Sequence, residues 1–165
     1  MPWSIPSTRS TGYLVTATNW NEIANDLAFL AEVAYAEFTA DVSITATTAA
    51  GANQIVSAGA VTYEAAPHMI EFWVARYASP AAQTWFLLRD GSTILGTLAN
   101  VQASDVEPGF ALMRRLTPTA ASHTYNIAAY NASAGTGTLK AGTGGSAGDG
   151  TTYLPGYIRV TRIPT

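Results

Sequence analysis

The stretch QTWFLLRDGSTILGTL, residues 83–98, decides how the rest of the chain is read. Asp90-Gly91 sits between two apolar runs, and an Asp-Gly pair between such runs is a strong β-hairpin signal, because glycine takes the positive φ that a tight hairpin turn demands. The flanking runs are rich in aromatic and branched residues, as half-buried strands require. Outward from this hairpin the same pattern repeats. VSITAT, NQIVSAG and HMIEFWVARYA precede it; FALMRRLTPTA, SHTYNIAAYNAS, GTLKAG and YIRVTRI follow. Turn residues separate them at intervals that suit a sandwich. About eight strands result, and the expected fold is mainly β, an antiparallel β-sandwich or jelly roll.

Ahead of the strands the pattern differs. Residues 1–15, with Pro2, Pro6 and Gly12, read as an extended arm. A helix is expected from Thr16–Asn19 to Phe38. Asn19 and Glu22 make a capping-box-like pair, and Trp20, Ile23, Leu27, Leu30, Ala34 and Phe38 recur at steps of three and four. Phe29 and Val33 form a second ridge. The spacing leaves open whether the helix packs on the β body or on a second copy of itself. This divides the chain into residues 1–40, an attachment and oligomerisation element, and residues 41–165, the β domain.

The chain has 165 residues and no cysteine, so disulfides and thiolate zinc sites are excluded, and a core of ordinary size is expected. Only 12% of residues are charged while 48% are hydrophobic; an average soluble domain carries about 25% charged residues. A surface this poor in charge is expected to bury part of itself against other subunits. In HMIEFWVARY both strand faces are apolar: Ile70, Phe72 and Val74 on one, Met69, Trp73, Ala75 and Tyr77 on the other. A homo-oligomer follows as the expectation, with three-fold symmetry favoured. Trp20, Ile23, Leu27, Leu30, Phe38, Trp73 and Tyr77 are the expected interface residues.

Chemistry is sparse. The net charge of −3 and the scattered basic residues argue against nucleic acid. No run of about 18 apolar residues suits a membrane helix, and the first residues lack a signal-peptide core. His68 and His123 both fall at strand starts, without H-x-H or H-E-x-x-H spacing, and are expected as surface residues rather than metal ligands. The residue types of a Ser-His-Asp triad are present, but no G-x-S-x-G elbow is. In GTGTLKAGTGGSAGDG the lysine precedes the glycines and no helix follows, so it is no phosphate loop. Glu71, flanked by Ile70 and Phe72, is expected to find an intersubunit partner such as Arg76, Arg114 or Arg115. Arg114 and Arg115, as neighbours on a strand, should point to opposite faces. Asn131-Ala132-Ser133 matches a glycosylation sequon and is read as incidental. No catalytic, metal or cofactor site is expected.

Two stretches resemble proteins of tailed-bacteriophage particles. TGYLVTATNWNEIANDLAFL, through Thr11, Gly12, Val15, Thr16, Ala17, Trp20, Asn21, Phe29 and Leu30, is similar to a phrase near the N-terminus of such virion proteins. Ser122 to Tyr125, Gly135 to Thr138 and Ile158 to Ile163 look like the last strands of compact jelly rolls on phage particles, which are similar to the trimeric tumour-necrosis-factor-like fold. The two matches cover about a third of the chain. The resemblance implies a non-enzymatic virion structural protein at the particle surface, made in the host cytoplasm: a capsid decoration protein or head fibre held by its N-terminal arm and helix, with the major capsid protein or other virion proteins as partners. The alternative it implies is a tail-fibre or tail-tip domain that binds a host-surface receptor or glycan, with tyrosines such as Tyr130, Tyr153 and Tyr157 stacking on sugar rings.

Overall fold

The computed structural model describes residues 32–80, 82–102, 106–107, 109–143 and 152–163. They form sixteen strands: β1 (Glu32–Phe38), β2 (Val42–Ile44), β3 (Asn53–Ser57), β4 (Val61–Thr62), β5 (His68–Val74), β6 (Arg76–Ala78), β7 (Thr84–Asp90), β8 (Thr93–Val101), β9 (Val106–Glu107), β10 (Phe110–Leu116), β11 (Ser122–His123), β12 (Tyr125–Asn131), β13 (Gly137–Lys140), β14 (Gly142–Thr143), β15 (Thr152–Tyr153) and β16 (Gly156–Arg162). No helix occurs among the described residues.

Two four-stranded antiparallel sheets carry the core. The first runs β1-β16-β5-β10 and the second β3-β12-β7-β8. A third sheet, β2-β13-β6-β9, extends the body where β5 passes into β6 at Ala75 and β12 leads on to β13. Two short ribbons, β4-β11 and β14-β15, complete the arrangement. The architecture is sandwich-like.

Alternation explains why β5 lies where it does. His68, Ile70, Phe72 and Val74 are buried, while Met69, Glu71 and Trp73 are half-buried on the opposite side. β16 repeats this, with Ile158 and Val160 inward and Tyr157, Arg159 and Thr161 outward. Side chains two apart share a sheet face, so each strand gives one row to the core. Phe86 and Leu88 of β7 and Ile127 and Ala129 of β12 face them from the second sheet. Phe72 stands at the centre, its ring 6.4 Å from Phe38, 6.4 Å from Phe86 and 6.1 Å from Phe110. The Asp90-Gly91 hairpin is present: Gly91 has φ 56°, and Asp90 pairs with Thr93 across the turn.

Three expectations are corrected. Residues 32–38, expected as the end of a helix, are strand β1, paired with β16 from Glu32↔Thr161 to Phe38↔Gly156. EVAYAEF satisfies both periods, and the ladder with β16 decides between them, because it buries Ala34 and Phe38 in the sandwich core. The β body therefore includes residues 32–38, which were assigned to the N-terminal element. The remainder of the expected arm and helix, with Trp20, Ile23, Leu27 and Leu30, lies outside the described residues. Second, His68 is not a surface residue. It is buried, its Nδ1 donates to the Ala66 carbonyl at 2.7 Å, and the Tyr63 ring meets it edge-on at 5.2 Å. Third, Glu71 finds its partner within the chain, as described below.

Candidate functional site

The outer face of the first sheet is built in three rows set by strand register. The first runs Glu32–Thr161–Met69–Arg115, the second Tyr35–Arg159–Glu71–Met113, the third Glu37–Tyr157–Trp73–Ala111. Residues directly opposite one another across a ladder lie on one face, so the rows follow from pairing alone. Tyr157 lies between two aromatics, 5.6 Å from Tyr35 and 6.0 Å from Trp73, nearly parallel to the indole. Tyr35 is 44% exposed and Met113 63%. The result is an aromatic and thioether surface on a sheet whose other side is already core.

Glu71 organises the middle of this face. Its Oε2 accepts from Arg159 at 2.6 Å and its Oε1 from the Tyr157 hydroxyl at 2.8 Å. Burial pushes this carboxyl up, and the bonds from Arg159 and Tyr157 outweigh that push, so it sits below the ordinary carboxylate value. The Arg159 guanidinium also lies 5.9 Å from the Tyr157 ring centre. At the β1 edge the Tyr35 hydroxyl donates to Glu37, which holds the phenol up at about 12. The charge is unevenly spread: exposed Glu32 and Glu37 line the β1 edge, and exposed Arg115 lines the β10 edge.

The expected interface residues separate accordingly. Trp73 lies on this face. Tyr77 does not; it is wholly buried, its hydroxyl bonded to Thr84 Oγ1 at 2.5 Å and its ring edge-on to Phe86. Phe38 is also internal, lying over Gly156, where a Cβ would overlap its ring. Tyr35 and Arg159 were missed from the sequence, and Tyr157 was named there only as a possible sugar-stacking tyrosine. Outward alternation in YIRVTRI carries the signal for Tyr157 and Arg159, but their place beside Trp73 depends on the β16–β5 pairing. Arg114 and Arg115 point to opposite faces, as the strand period requires: Arg115 sits across from Met69, and Arg114 lines the cleft described next.

That cleft, of about 660 Å³, opens between β8 and β10, where the two sheets part. Leu88, Leu98, Leu116 and Tyr125 lie along it with Asp90, Thr119 and His123. His123 Nδ1 donates to Asp90 Oδ2 at 2.6 Å, and Nε2 lies 3.1 Å from Thr119 Oγ1 and 3.2 Å from the Thr119 carbonyl. By distance alone this is a Thr-His-Asp relay. The carbonyl argues for another role. When the ring is protonated, Nδ1 donates to the carboxylate and Nε2 to the Thr119 carbonyl, and an imidazolium so held has no lone pair for the hydroxyl's proton. Asp90 Oδ1 also accepts the Thr124 N–H at 2.8 Å, and the Gly91 N–H donates to the Thr124 carbonyl at 2.8 Å. The group is a clasp tying the β7–β8 turn to the start of β12.

The clasp makes stability depend on pH. The bond to Asp90 raises His123 above 6.5, against a smaller opposing effect of burial. At Asp90 burial pushes up, and the bonds from His123 and the Thr124 N–H bring it below 3.8. His123 therefore contributes fully below its unfolded value, and the contribution is lost as pH rises through its higher folded value. Asp90 contributes fully above its unfolded value and loses it as pH falls through its lower folded value. The clasp is at full strength from about pH 4 to 6.5. It is expected to contribute about 1 kcal/mol, equivalent to about 2–4 °C in Tm. His123→Gln should lower Tm by that amount at pH 5.5 and by much less at pH 9, read by thermal circular dichroism. A difference independent of pH would show that His123 acts only through its stacking on Tyr125.

Among the described residues no group of three or more His, Asp or Glu is placed to hold a metal ion. Asn131 of the sequon is fully buried, and its amide donates to two carbonyls, so this geometry leaves it no room as a glycan acceptor.

No family model matches the chain, and no curated protein does. Among solved structures, the chain is similar to the EclA C-terminal domain, described as a sugar-binding protein, with 16% identity over 84% of this chain and 86% of that one and a TM-score of 0.43. A likeness of that size does not by itself identify a shared fold or function.

Proposed function

We propose that the chain is a non-enzymatic virion structural protein of a tailed phage that assembles as a homotrimer through the outer face of the first sheet. The Tyr35–Tyr157–Trp73 surface carries this reading. It is a half-exposed aromatic cluster spanning two adjacent rows, with Met113 at the far end of one of them, on a sheet already apolar on its other side. Aromatic and methionine side chains are enriched at protein interfaces, where they bury much area with few polar groups left unpaired. The acidic β1 edge and the basic β10 edge favour contact of one edge with the opposite edge of the next copy. A head-to-tail contact of that kind generates a ring where the rotation between copies closes, and three-fold closure is the arrangement proposed. Strand order supports the jelly-roll reading: taking the eight principal strands in chain order, the first sheet holds the first, eighth, third and sixth, and the second sheet the second, seventh, fourth and fifth. The virion assignment, with the major capsid protein as partner and the part of the expected N-terminal element before Glu32 as the attachment element, is supported by the two sequence stretches that resemble phage particle proteins.

Sedimentation equilibrium of the full chain tests the assembly. The expected mass is three times the 17.3 kDa of one copy, and Trp73→Glu should give a folded monomer. A wild-type monomer at micromolar concentration overturns the oligomer, and a dimer overturns the three-fold arrangement. Quantitative mass spectrometry of purified particles tests the location. A ratio near one per capsid subunit supports decoration, a few copies support a tail tip or fibre, and none sinks the virion assignment.

A further inference from the structure

We propose that the opposite, outward-facing sheet carries a site for a neutral sugar ring, built on Trp85 and Tyr130. Trp85 of β7 and Tyr130 of β12 face each other directly across the ladder. Their rings are stacked 6.3 Å apart and only 8° from parallel, and both side chains are half-buried. Stacking holds each ring in one orientation, so a ligand meets a surface already ordered and little side-chain freedom is lost on binding. The same row continues to Asn100 of β8, opposite Trp85, whose Oδ1 accepts from Gln102 Nε2 at 3.3 Å. The next row runs Gln54–Ala128–Leu87–Thr97. Leu87 and Ala128 of that row are buried against Ala49 and Ala52, while Gln54 and Thr97 at its two ends are exposed, so the aromatic pair lies beside uncharged amides and a hydroxyl.

This combination matches the chemistry of a pyranose. One face of such a ring presents C–H groups of slight positive charge, which suit the negative face of an indole or phenol. Its rim presents hydroxyls, which both donate and accept, as an amide does. Charge points to a neutral sugar. The cationic side chain on the same face of β7, Arg89, one row further on, is buried and donates to the Ala49 and Ala52 carbonyls, so it is engaged beneath the 45–52 loop rather than offered to a ligand. An acidic sugar would find no free cation on these rows among the described residues. The site lies on the sheet opposite the assembly face, so it does not rest on the oligomeric reading, and assembly through the first sheet would leave it open.

The test uses the full chain on an array of immobilised neutral and acidic oligosaccharides, followed by calorimetric titration with the best soluble neutral one, so that multivalency does not enter. At least one neutral oligosaccharide should bind. Trp85→Ala should weaken it at least tenfold, Tyr130→Ala should weaken it, and Trp85→Phe should retain most of the affinity. Leu95→Ser, in the cleft between β8 and β10, should change nothing. Circular dichroism and sedimentation on the same samples separate lost binding from lost folding or assembly. Binding only to acidic sugars, binding indifferent to Trp85→Ala, or no binding to any neutral oligosaccharide at millimolar concentration overturns the proposal, whatever the oligomeric state.

Discussion

Replacing Asn131 with alanine is expected to destabilise the domain by about 2–6 kcal/mol, the sum of leaving two buried polar groups, the Ile44 carbonyl and the Thr84 hydroxyl, without this partner at about 1–3 kcal/mol each. Asn131 ends β12 and is fully buried. Its Nδ2 donates to the Ile44 carbonyl at 2.9 Å and to the Gly135 carbonyl at 2.8 Å. Its Oδ1 accepts the Thr84 hydroxyl at 2.8 Å, and Thr84 accepts the Tyr77 hydroxyl at 2.5 Å. One amide thereby joins β2, β6, β7 and the turn before β13, stitching the second sheet to the third. Urea denaturation monitored by fluorescence would read the loss. Asn131→Asp should cost more, since it places a carboxylate against two carbonyl oxygens. A loss under about 1 kcal/mol for the alanine variant would show that water enters and replaces the amide.

Phe72→Ala is expected to cost about 3–5 kcal/mol, the usual range for removing a large aromatic from a packed core. Phe72 is wholly buried, with the rings of Phe38, Phe86 and Phe110 around it. The cavity would lie between the two sheets, where strands on both sides are fixed by their ladders and cannot close on it. Phe72→Leu should recover more than half of the loss because it restores most of the volume. If the alanine variant were as stable as wild type in the same denaturation, the sheets would have to shift together, contrary to the packing described. Trp73 provides the contrast. It is the next residue on the strand and faces the other way, so Trp73→Glu should act on assembly far more than on monomer stability.

The two faces of β5 were legible from sequence. Ile70, Phe72 and Val74 separate from Met69, Glu71 and Trp73 by alternation alone, and Asp90-Gly91 marks its hairpin because few residue pairs accept that turn. Partnership was not legible. Glu71 was expected to reach across subunits because it is an acid flanked by apolar residues on a strand, whereas its partner Arg159 lies 88 residues away in the same chain, brought in by the β16–β5 ladder. The same holds for His123 with Asp90 and for Trp85 with Tyr130. Each pair is made by register, and register depends on the whole sheet.

Composition and period by themselves determined a β protein with turns near their observed places, lacking cysteine chemistry, and with one strand apolar on both faces. Tertiary structure decided the rest. EVAYAEF presents apolar residues at both helical and strand spacing, and the open edge of β16 made it a strand. Phe38 and Tyr77, attractive as interface residues in sequence, became core because the sheets closed over them. Trp73, one residue from Phe72, stayed outside because a strand turns successive side chains to opposite sides. The physical reason is common to all three: local preferences differ by about 1 kcal/mol or less, while burying a large apolar side chain is worth about 1.5–3 kcal/mol, so packing decides wherever the two disagree.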